Sequence, residues 1–342
     1  MNLTECFIDQ AGHCERLGSP FMGRLLRLLA AHWPNDTAVA RKFGAWKGDI
    51  GPGGASLPLR LAGGMHALVL GGQDTALAAV YPPNVAPDDV LLQHVLRVLH
   101  QHDAFLDRWT ESPPQTNEVR RSAAILPAAL MVEDHFGLPL RLSELGASGG
   151  LNLICDKFAL TIQGKSFGSA NPVLTLEPDW AGPLPPSVDL RVTERRGVDL
   201  NPVDATSDTG ALRLLAYLWP DQPDRISRTR AAIAAQAAEV DKGDAIDWLE
   251  ARLVSPESGQ AHLIYHTIAW QYFPPDAQVR GTALIEAAGA EATNAAPLAW
   301  FGLEYDGEAD GAAMTLRLWP GDIRLSLGRA DFHGRWVHWA TG

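Results

Sequence analysis

A short segment near the middle of the chain holds the residues whose types and spacing best suit chemistry. Positions 140–153 read LRLSELGASGGLNL, an alternating apolar run that ends at the acid Glu144 and a turn of small residues at 146–150. Glycine lets a backbone approach a ligand closely, and a helix opening at Leu151 would offer free N–H groups. The pattern predicts a strand, a ligand-binding turn and a helix start. The acid at the strand tip favours a ligand with an amino group or hydroxyls.

The turn fits two sequence templates. Read as Glu-x-Gly-x-Ser-x-Gly, it resembles the first motif of class I S-adenosylmethionine-dependent methyltransferases, with serine in place of the middle glycine. Read as Gly-x-Ser-x-Gly, it is similar to the nucleophile elbow of the α/β-hydrolases. A tight turn without a ligand is the third interpretation. In the first interpretation the cofactor contacts come from Glu144, Gly146, Ala147, Ser148 and Gly150.

Length, charge and cysteine content narrow the class of protein. With 342 residues and 46% apolar residues, the chain can bury a large core and predicts two units. Its formal charge of −12 disfavours binding to nucleic acid or to an anionic membrane surface. The N-terminus shows no secretory signal, and no apolar run is long enough for a membrane span. We therefore expect a cytoplasmic protein.

No metal site is expected from the sequence. His100, His102 and Asp103 are too close together along one helix to face a common ion, and they suit a solvated surface. The three cysteines form no Cys-x-x-Cys pair, and neither Cys6 nor Cys14 has zinc-ligand spacing with His13.

Periodicity predicts a helical N-terminal unit, 1–112, and an α/β unit, 113–342, that are joined near a Pro-Pro pair. After a helix to about Phe136 and the 140–145 strand comes an irregular insert at about 156–186 with two short strands, 158–162 and 173–176. Strands and helices then alternate, and an antiparallel hairpin ends the chain. This order predicts a mostly parallel sheet covered on both faces.

Ligands of such sheets bind beyond the carboxyl ends of the strands. That rule brings four separate segments to one edge of the predicted sheet. They carry Glu144, Asp199, Asp244 and His266.

The order of these segments resembles the class I methyltransferase fold, a Rossmann-like sheet with a terminal antiparallel hairpin. The resemblance implies S-adenosylmethionine as cofactor, with Asp199 on the ribose hydroxyls and Asp244 near the adenine amine. It implies a small-molecule methyl acceptor as the partner. Two departures are visible: Ser148 replaces a glycine, and 55 residues separate Glu144 from Asp199, whereas about 20 are usual in dinucleotide folds.

Several separated motifs together resemble the bacterial domain-of-unknown-function family 2332, over nearly the whole chain. They are QTNE at 115–118, RSA at 121–123, ELGAS at 144–148, DLNP at 199–202 and WPDQ at 219–222. This resemblance implies a methyltransferase-like fold and supplies no established activity.

Three residues are candidates for acceptor chemistry. His266 at a strand end is a candidate base, Tyr272 just beyond it a pocket residue, and Glu118 a lid residue facing the acceptor. Three functions follow from the sequence: methyl transfer, binding of a nucleotide-like metabolite without catalysis, and hydrolysis through Ser148 with His266 or His333. The last requires strands before the elbow, where the sequence predicts only helices.

Overall fold

The structure is a computed structural model that describes residues 2–308 and 310–340. Contacts divide the chain into two compact units. The first comprises residues 1–116 and 207–227, and the second residues 117–206 and 228–342. The sequence placed this boundary at 112/113 and assigned 207–227 to the second unit. In the described part of the chain no helix is both long and apolar enough to cross a membrane.

The α-helices are α1 (Leu3–Arg16), α2 (Pro20–Ala31), α3 (Ala38–Gly44), α4 (Leu57–Leu70), α5 (Thr75–Ala78), α6 (Asp88–Gln101), α7 (Asp103–Trp109), α8 (Ser122–Phe136), α9 (Asp208–Ala216), α10 (Pro223–Ala235), α11 (Ala245–Leu253) and α12 (Pro275–Ala290). The strands are β1 (Leu140–Leu145), β2 (Phe158–Ile162), β3 (Lys165–Gly168), β4 (Leu174–Leu176), β5 (Asp179–Ala181), β6 (Val192–Asp199), β7 (Glu239–Lys242), β8 (Ala261–Thr267), β9 (Leu298–Glu304), β10 (Ala312–Trp319), β11 (Ile323–Ala330) and β12 (Trp336–Trp339).

The first unit is helical, and its helices begin where local chemistry favours them. The Ser19 side chain accepts from the Met22 N–H and Pro20 occupies the first turn of α2, as the Ser-Pro pair predicts. Helix α4 is buried nearly all round. A Cβ on its Gly63 would lie 2.5 Å from the Tyr217 ring, so glycine there permits close packing in a helix whose glycines weaken its propensity.

The second unit is built on a nine-stranded sheet with the order β5-β12-β11-β10-β9-β8-β1-β6-β7. Strands β9, β8, β1, β6 and β7 are parallel neighbours. Strands β9 to β12 then form antiparallel pairs. The prediction of a mixed α/β unit with a large, mostly parallel sheet and an antiparallel end is confirmed.

Helices cover both faces of this sheet. Leu145, Val198 and Ile264 lie on one face and pack with Leu249 of α11 and Ile285 of α12 in a single apolar core. Helix α8 packs against β8, β9 and β10. It begins at Ser122, after a 3₁₀ turn over Val119–Arg121, and contains Pro127.

The predicted helix at Leu151 is wrong. Residues 151–154 are turns, a single 3₁₀ turn covers Cys155–Lys157, and the connection from β1 to β6 carries a three-stranded sheet of order β3-β2-β4. Five consecutive residues, 151–155, are buried, so this segment lacks the polar face of a surface helix. Asn152 also holds it in place: its amide accepts from the Ser122 hydroxyl and donates to the Glu118 carbonyl.

Candidate functional site

The carboxyl ends of β1, β6 and β8 meet at one edge of the sheet. β1 lies between the other two, with Leu145 opposite Val198 and Glu144 opposite Tyr265. The chain passes from β1 to one neighbour and later returns to the other side, which makes this edge a topological switch point. Ligands of open parallel sheets bind at such points.

The turn after β1 has an unusual backbone. Gly146, Ser148 and Gly150 all have positive φ, at 76°, 53° and 70°. Its first two N–H groups, from Gly146 and Ala147, donate to the Val198 carbonyl at 2.9 and 3.0 Å, which fixes the turn to β6. Glycine adopts positive φ at no steric cost, but serine does so with strain. Ser148 is therefore the one residue of the three whose conformation needs support.

Close packing explains both glycines of the turn. A Cβ on Gly146 would lie 2.7 Å from the Ala269 Cβ, in the loop after β8. A Cβ on Gly150 would lie 2.6 Å from the Gln236 Nε2, which donates to the Gly149 carbonyl at 2.7 Å. The protein itself thus occupies the space beside each glycine, and a ligand is not required to account for either.

Asp199 supports the strained serine. Its Oδ2 accepts from the Ser148 N–H at 2.9 Å and its Oδ1 from the Asn201 N–H at 2.8 Å. The Ser148 carbonyl in turn accepts from the Val203 N–H. The side chain of Ser148 has a different environment: it is buried, and its Oγ has no hydrogen-bond partner among the described residues. A buried hydroxyl without a partner is costly, so it marks a place where a polar ligand atom would be stabilising.

Glu144 is the buried acid beside this turn. Its Oε2 accepts from the Tyr265 hydroxyl at 3.3 Å. Burial raises the pKa of Glu144 to about 8; the Tyr265 hydrogen bond and the charge of Arg121 offset part of this rise, and Asp199 adds to it. At neutral pH the group is a carboxylic acid that can donate as well as accept a hydrogen bond.

His266 lies at the end of β8, as predicted, but its hydrogen bonds oppose a role as base. Trp300 Nε1–H donates to His266 Nε2 at 2.9 Å. The ring proton therefore lies on Nδ1, which donates to Glu304 Oε1 at 2.8 Å. The ring also stacks on Trp270. Both nitrogens are thus in use, and no lone pair is left to take a proton from an acceptor.

Glu304, at the end of β9, is a central residue of this edge that the sequence analysis missed. Besides His266, it accepts the backbone N–H groups of Ala269, Trp270 and Gln271 at 3.1–3.3 Å. Burial acts to raise its pKa, but the His266 hydrogen bond and the N–H groups of Ala269 and Trp270 together lower it below the ordinary value. The rule that selected Asp199, an acid at the end of a buried strand, also selects Glu304.

The other predicted site residues cap helical turns or face solvent. Asp244 follows β7, two strands from β1 and so about 10 Å away, and caps α11 by accepting from the Ile246 and Asp247 N–H groups. Glu118 is buried and accepts from the Arg120 N–H at the start of a 3₁₀ turn. Tyr272 is 71% exposed. The cap explains Asp244 without a ligand.

A cavity of about 530 Å³ lies beside His266 and Glu304. Trp270, Trp300 and Tyr305 line it with aromatic surface. The loop after β8 therefore contacts two features: through Ala269 it touches Gly146, and through Trp270 it forms the cavity wall.

Two other kinds of chemistry find no assembled site in the part of the chain that the structure describes. No three His, Cys, Asp or Glu side chains converge to hold a metal. Ser148 Oγ has no histidine partner, and no strand of the nine-stranded sheet precedes β1, so the hydrolase elbow is not reproduced. His100 and His102 are instead hydrogen-bonded to Asp36 and Asp74.

Fold and site together define an α/β protein with an open, mostly parallel sheet and a strained turn at its switch point. Residues 4–339 match a family described as an uncharacterized protein conserved in bacteria, DUF2332, and the chain belongs to this family. No curated protein and no solved structure matches the chain.

Proposed function

We propose that this protein is an S-adenosylmethionine-dependent methyltransferase that acts on a small molecule. The observation that carries the proposal is the buried, unpartnered Ser148 hydroxyl in a left-handed turn at the switch point of the sheet. The order β7-β6-β1-β8-β9 supports it, since it corresponds to the 3-2-1-4-5 order of a Rossmann-like sheet. The proposal takes this half of the sheet as the cofactor-binding fold.

The residues at the turn fit such a cofactor in part. Ser148 Oγ and the neutral carboxyl of Glu144 are the polar groups with bonding capacity left for a ligand with amino and hydroxyl groups. Asp199 keeps one lone pair region on each oxygen, since each accepts a single N–H. Ala269 occupies the space beside Gly146 where a cofactor would cross a glycine-rich turn. The ligand is therefore expected beside Ser148 and not over Gly146.

When bound, the cofactor supplies an electrophilic methyl group on a sulfonium. The protein positions the cofactor and the acceptor. The aromatic cavity beside His266 is the proposed acceptor site, because aromatic faces attract flat or cationic small molecules. His266 orients Glu304 and the loop after β8, and it removes no proton while Trp300 occupies Nε2. We therefore expect an acceptor whose nucleophile needs no protein base.

Calorimetric titration with S-adenosylmethionine and S-adenosylhomocysteine tests the proposal. We expect binding by the wild type and a loss of about 5- to 10-fold in Ser148→Ala, the value of one hydrogen bond to a buried group. Ser166→Ala, at an exposed serine of β3, is the matched control and should bind like the wild type. Absence of binding up to millimolar cofactor overturns the proposal.

The pH dependence of binding is a second test. A ligand ammonium beside Glu144 favours the ionised carboxylate, so binding should release a proton below the pKa of about 8. Affinity should then rise with pH towards 8 in the wild type and stay level in Glu144→Gln. Turnover with a panel of small acceptors separates the two remaining functions: cofactor binding without turnover would identify a non-catalytic metabolite-binding protein.

A further inference from the structure

A second cavity lies at the opposite edge of the same sheet. It has a volume of about 410 Å³ and is bordered by the starts of β1, β8 and β9 and by the facing parts of α11 and α12. Its walls are largely aliphatic, and they come from Leu253, Val254, Pro256, Leu284, Ala287, Ala288, Ala292, Ala296, Pro297 and Leu298. Cavities of about 300–1,000 Å³ with such walls and a few polar groups are typical of small-molecule sites.

The polar end of the cavity is a buried network of side chains. The strand register places Arg141 between Glu194 on β6 and His262 on β8. Arg141 donates to Glu194 Oε2 at 2.7 Å, and Arg252 from α11 donates to Glu194 Oε1 at 2.5 Å. Both guanidinium side chains are about nine-tenths buried. One carboxylate therefore faces two buried positive charges.

Three further carboxylates border the cavity, and all three belong to exposed residues: Glu250, Glu257 and Glu291. Glu257 approaches Arg141 only to 3.8 Å and is about half exposed. Glu250 is paired with Arg280 on the surface of the helices. Solvent screens these exposed acids more than it screens the inner end of the cavity. At that inner end, two buried guanidinium groups face one carboxylate, Glu194.

The hydrogen bonds fix the proton of His262. Arg252 donates to the Ser143 hydroxyl oxygen from Nε and from an amino group, at 3.3 and 3.2 Å. Ser143 must then direct its own proton to His262 Nε2, 2.8 Å away, and the neutral ring carries its proton on Nδ1. Burial and the charges of Arg141 and Arg252 lower the pKa of His262 to about 3, which keeps the ring neutral. Nδ1–H makes no hydrogen bond to a described residue.

We propose that this cavity binds a monocarboxylate with a medium-length aliphatic body. The carboxylate would accept from His262 Nδ1–H and from the free N–H groups of Arg141 and Arg252, and the hydrocarbon would pack against Leu284 and Leu298. Arg141, Arg252 and His262 present donors at the inner end, and the one carboxylate there, Glu194, already accepts from both arginines. An acceptor-only head on an apolar body is the chemistry that matches both parts.

This site is independent of the proposed methyltransferase site. Arg141 and Ser143 point to the face of the sheet that α11 and α12 cover, whereas Glu144 shares the opposite face with Tyr265. Arg141 and Glu144 are three positions apart on β1, about 10 Å along the strand. Failure of one proposal leaves the other untouched.

Calorimetry or ligand-observed NMR with octanoate tests the site on the full-length protein. We expect octanoate to bind at least about 10-fold more tightly than 1-octanol, since the alcohol brings no charge to pair with the two guanidinium groups. Acetate, which has the head without the body, should bind weakly. Equal binding of octanoate and octanol, or no binding of octanoate at millimolar concentration, overturns the proposal.

Three variants locate the binding. Leu284→Trp fills the apolar part without touching the ion network, and it should abolish octanoate binding while leaving the unfolding midpoint close to that of the wild type. Ala288→Leu is the smaller filling change if the tryptophan variant does not fold. His262→Phe removes the Nδ1–H donor from the head site, and with it the Nε2 acceptor of the Ser143 proton. It should weaken octanoate about 5- to 10-fold with little effect on octanol. Unchanged octanoate binding in a folded cavity-filling variant contradicts the proposed location.

Discussion

The two edges of the central sheet satisfy their buried charges in different ways. At the carboxyl edge, backbone N–H groups satisfy the acids: Asp199 accepts two of them and Glu304 three. At the amino edge, side chains satisfy one another, with Glu194 between Arg141 and Arg252. The bonding capacity left over therefore differs: a hydroxyl and a neutral acid at one edge, and N–H donors at the other. The two proposed ligands accordingly differ in charge.

The largest expected effect is on the pH dependence of stability, and it comes from Glu144 at the carboxyl edge. Because its pKa of about 8 lies above the ordinary value of 4.5, the folded state holds a proton that the unfolded chain releases. The contribution of this group is fully present below about pH 4.5 and is lost as pH rises towards 8, by about 1 kcal/mol per pH unit. Glu144→Gln should flatten this part of the stability curve in denaturant titrations at pH 5–8. Glu177→Gln, at an exposed position, should leave the slope as it is.

Gly146→Ala should destabilise the carboxyl edge by about 2–3 kcal/mol, from left-handed strain and from the contact with Ala269. Gly164→Ala is a matched control, because Gly164 has the same φ of 76° and no neighbour within 4 Å of an added Cβ. It should cost only the strain, about 1 kcal/mol. Adding Ala269→Gly should recover most of the difference. Equal losses in the two single variants would show that Ala269 does not press on the turn.

Glu194→Ala tests the amino edge. It leaves Arg141 and Arg252 without their shared carboxylate, and we expect a loss of about 2 kcal/mol, below the usual value for a buried pair because Glu194 is 34% exposed. Glu239→Ala, which removes an acid 80% exposed near Arg196, should change stability by less than about 0.5 kcal/mol. Chemical denaturation measures both. Similar small losses would mean that solvent already screens the network.

Trp300→Phe has the smallest expected effect, about 1 kcal/mol, the loss of one hydrogen bond to a buried acceptor. It frees the Nε2 lone pair of His266, which should then show the ¹⁵N shift of an imidazole nitrogen that accepts no indole proton. Trp180→Phe removes an indole hydrogen bond to the Pro183 carbonyl at an exposed site and should leave the His266 signals unchanged. An unshifted His266 signal in Trp300→Phe would contradict the assigned tautomer.

Local pattern was enough to predict much of the sheet. The strands that end near Glu144 and His266 follow from apolar-rich runs, and the cap at Asp244 follows from its position before an amphipathic helix. β6, which ends at Asp199, is mostly polar and has Val192 and Val198 as its apolar side chains. Local pattern could not show that both ring nitrogens of His266, the candidate base, are already hydrogen-bonded. Its partners Trp300 and Glu304 are 34 and 38 residues away, and only the pairing of β8 with β9 brings them to the ring.

The connection after β1 shows where pattern was insufficient. A glycine turn before Leu151-Asn152-Leu153 is typical of a helix start, but burial on all sides of 151–155 depends on tertiary contacts that the sequence does not display. The sequence gives only a weak indication of the side-chain network at the amino edge. Arg141 and Ser143 alternate with leucines on a strand that is buried on both faces, and polar residues in that setting indicate buried partners.

The small insert also reaches the rim of the large sheet. β5 pairs in parallel with β12, so the outer backbone groups of β12 are hydrogen-bonded and not exposed. At the opposite rim, β7 has only four residues, with a charged residue at each end. Exposed long edges invite other chains to add on and grow fibrils, and short or covered ones resist this. Loss of residues 179–181 would therefore expose the backbone edge of β12 and favour self-association through it.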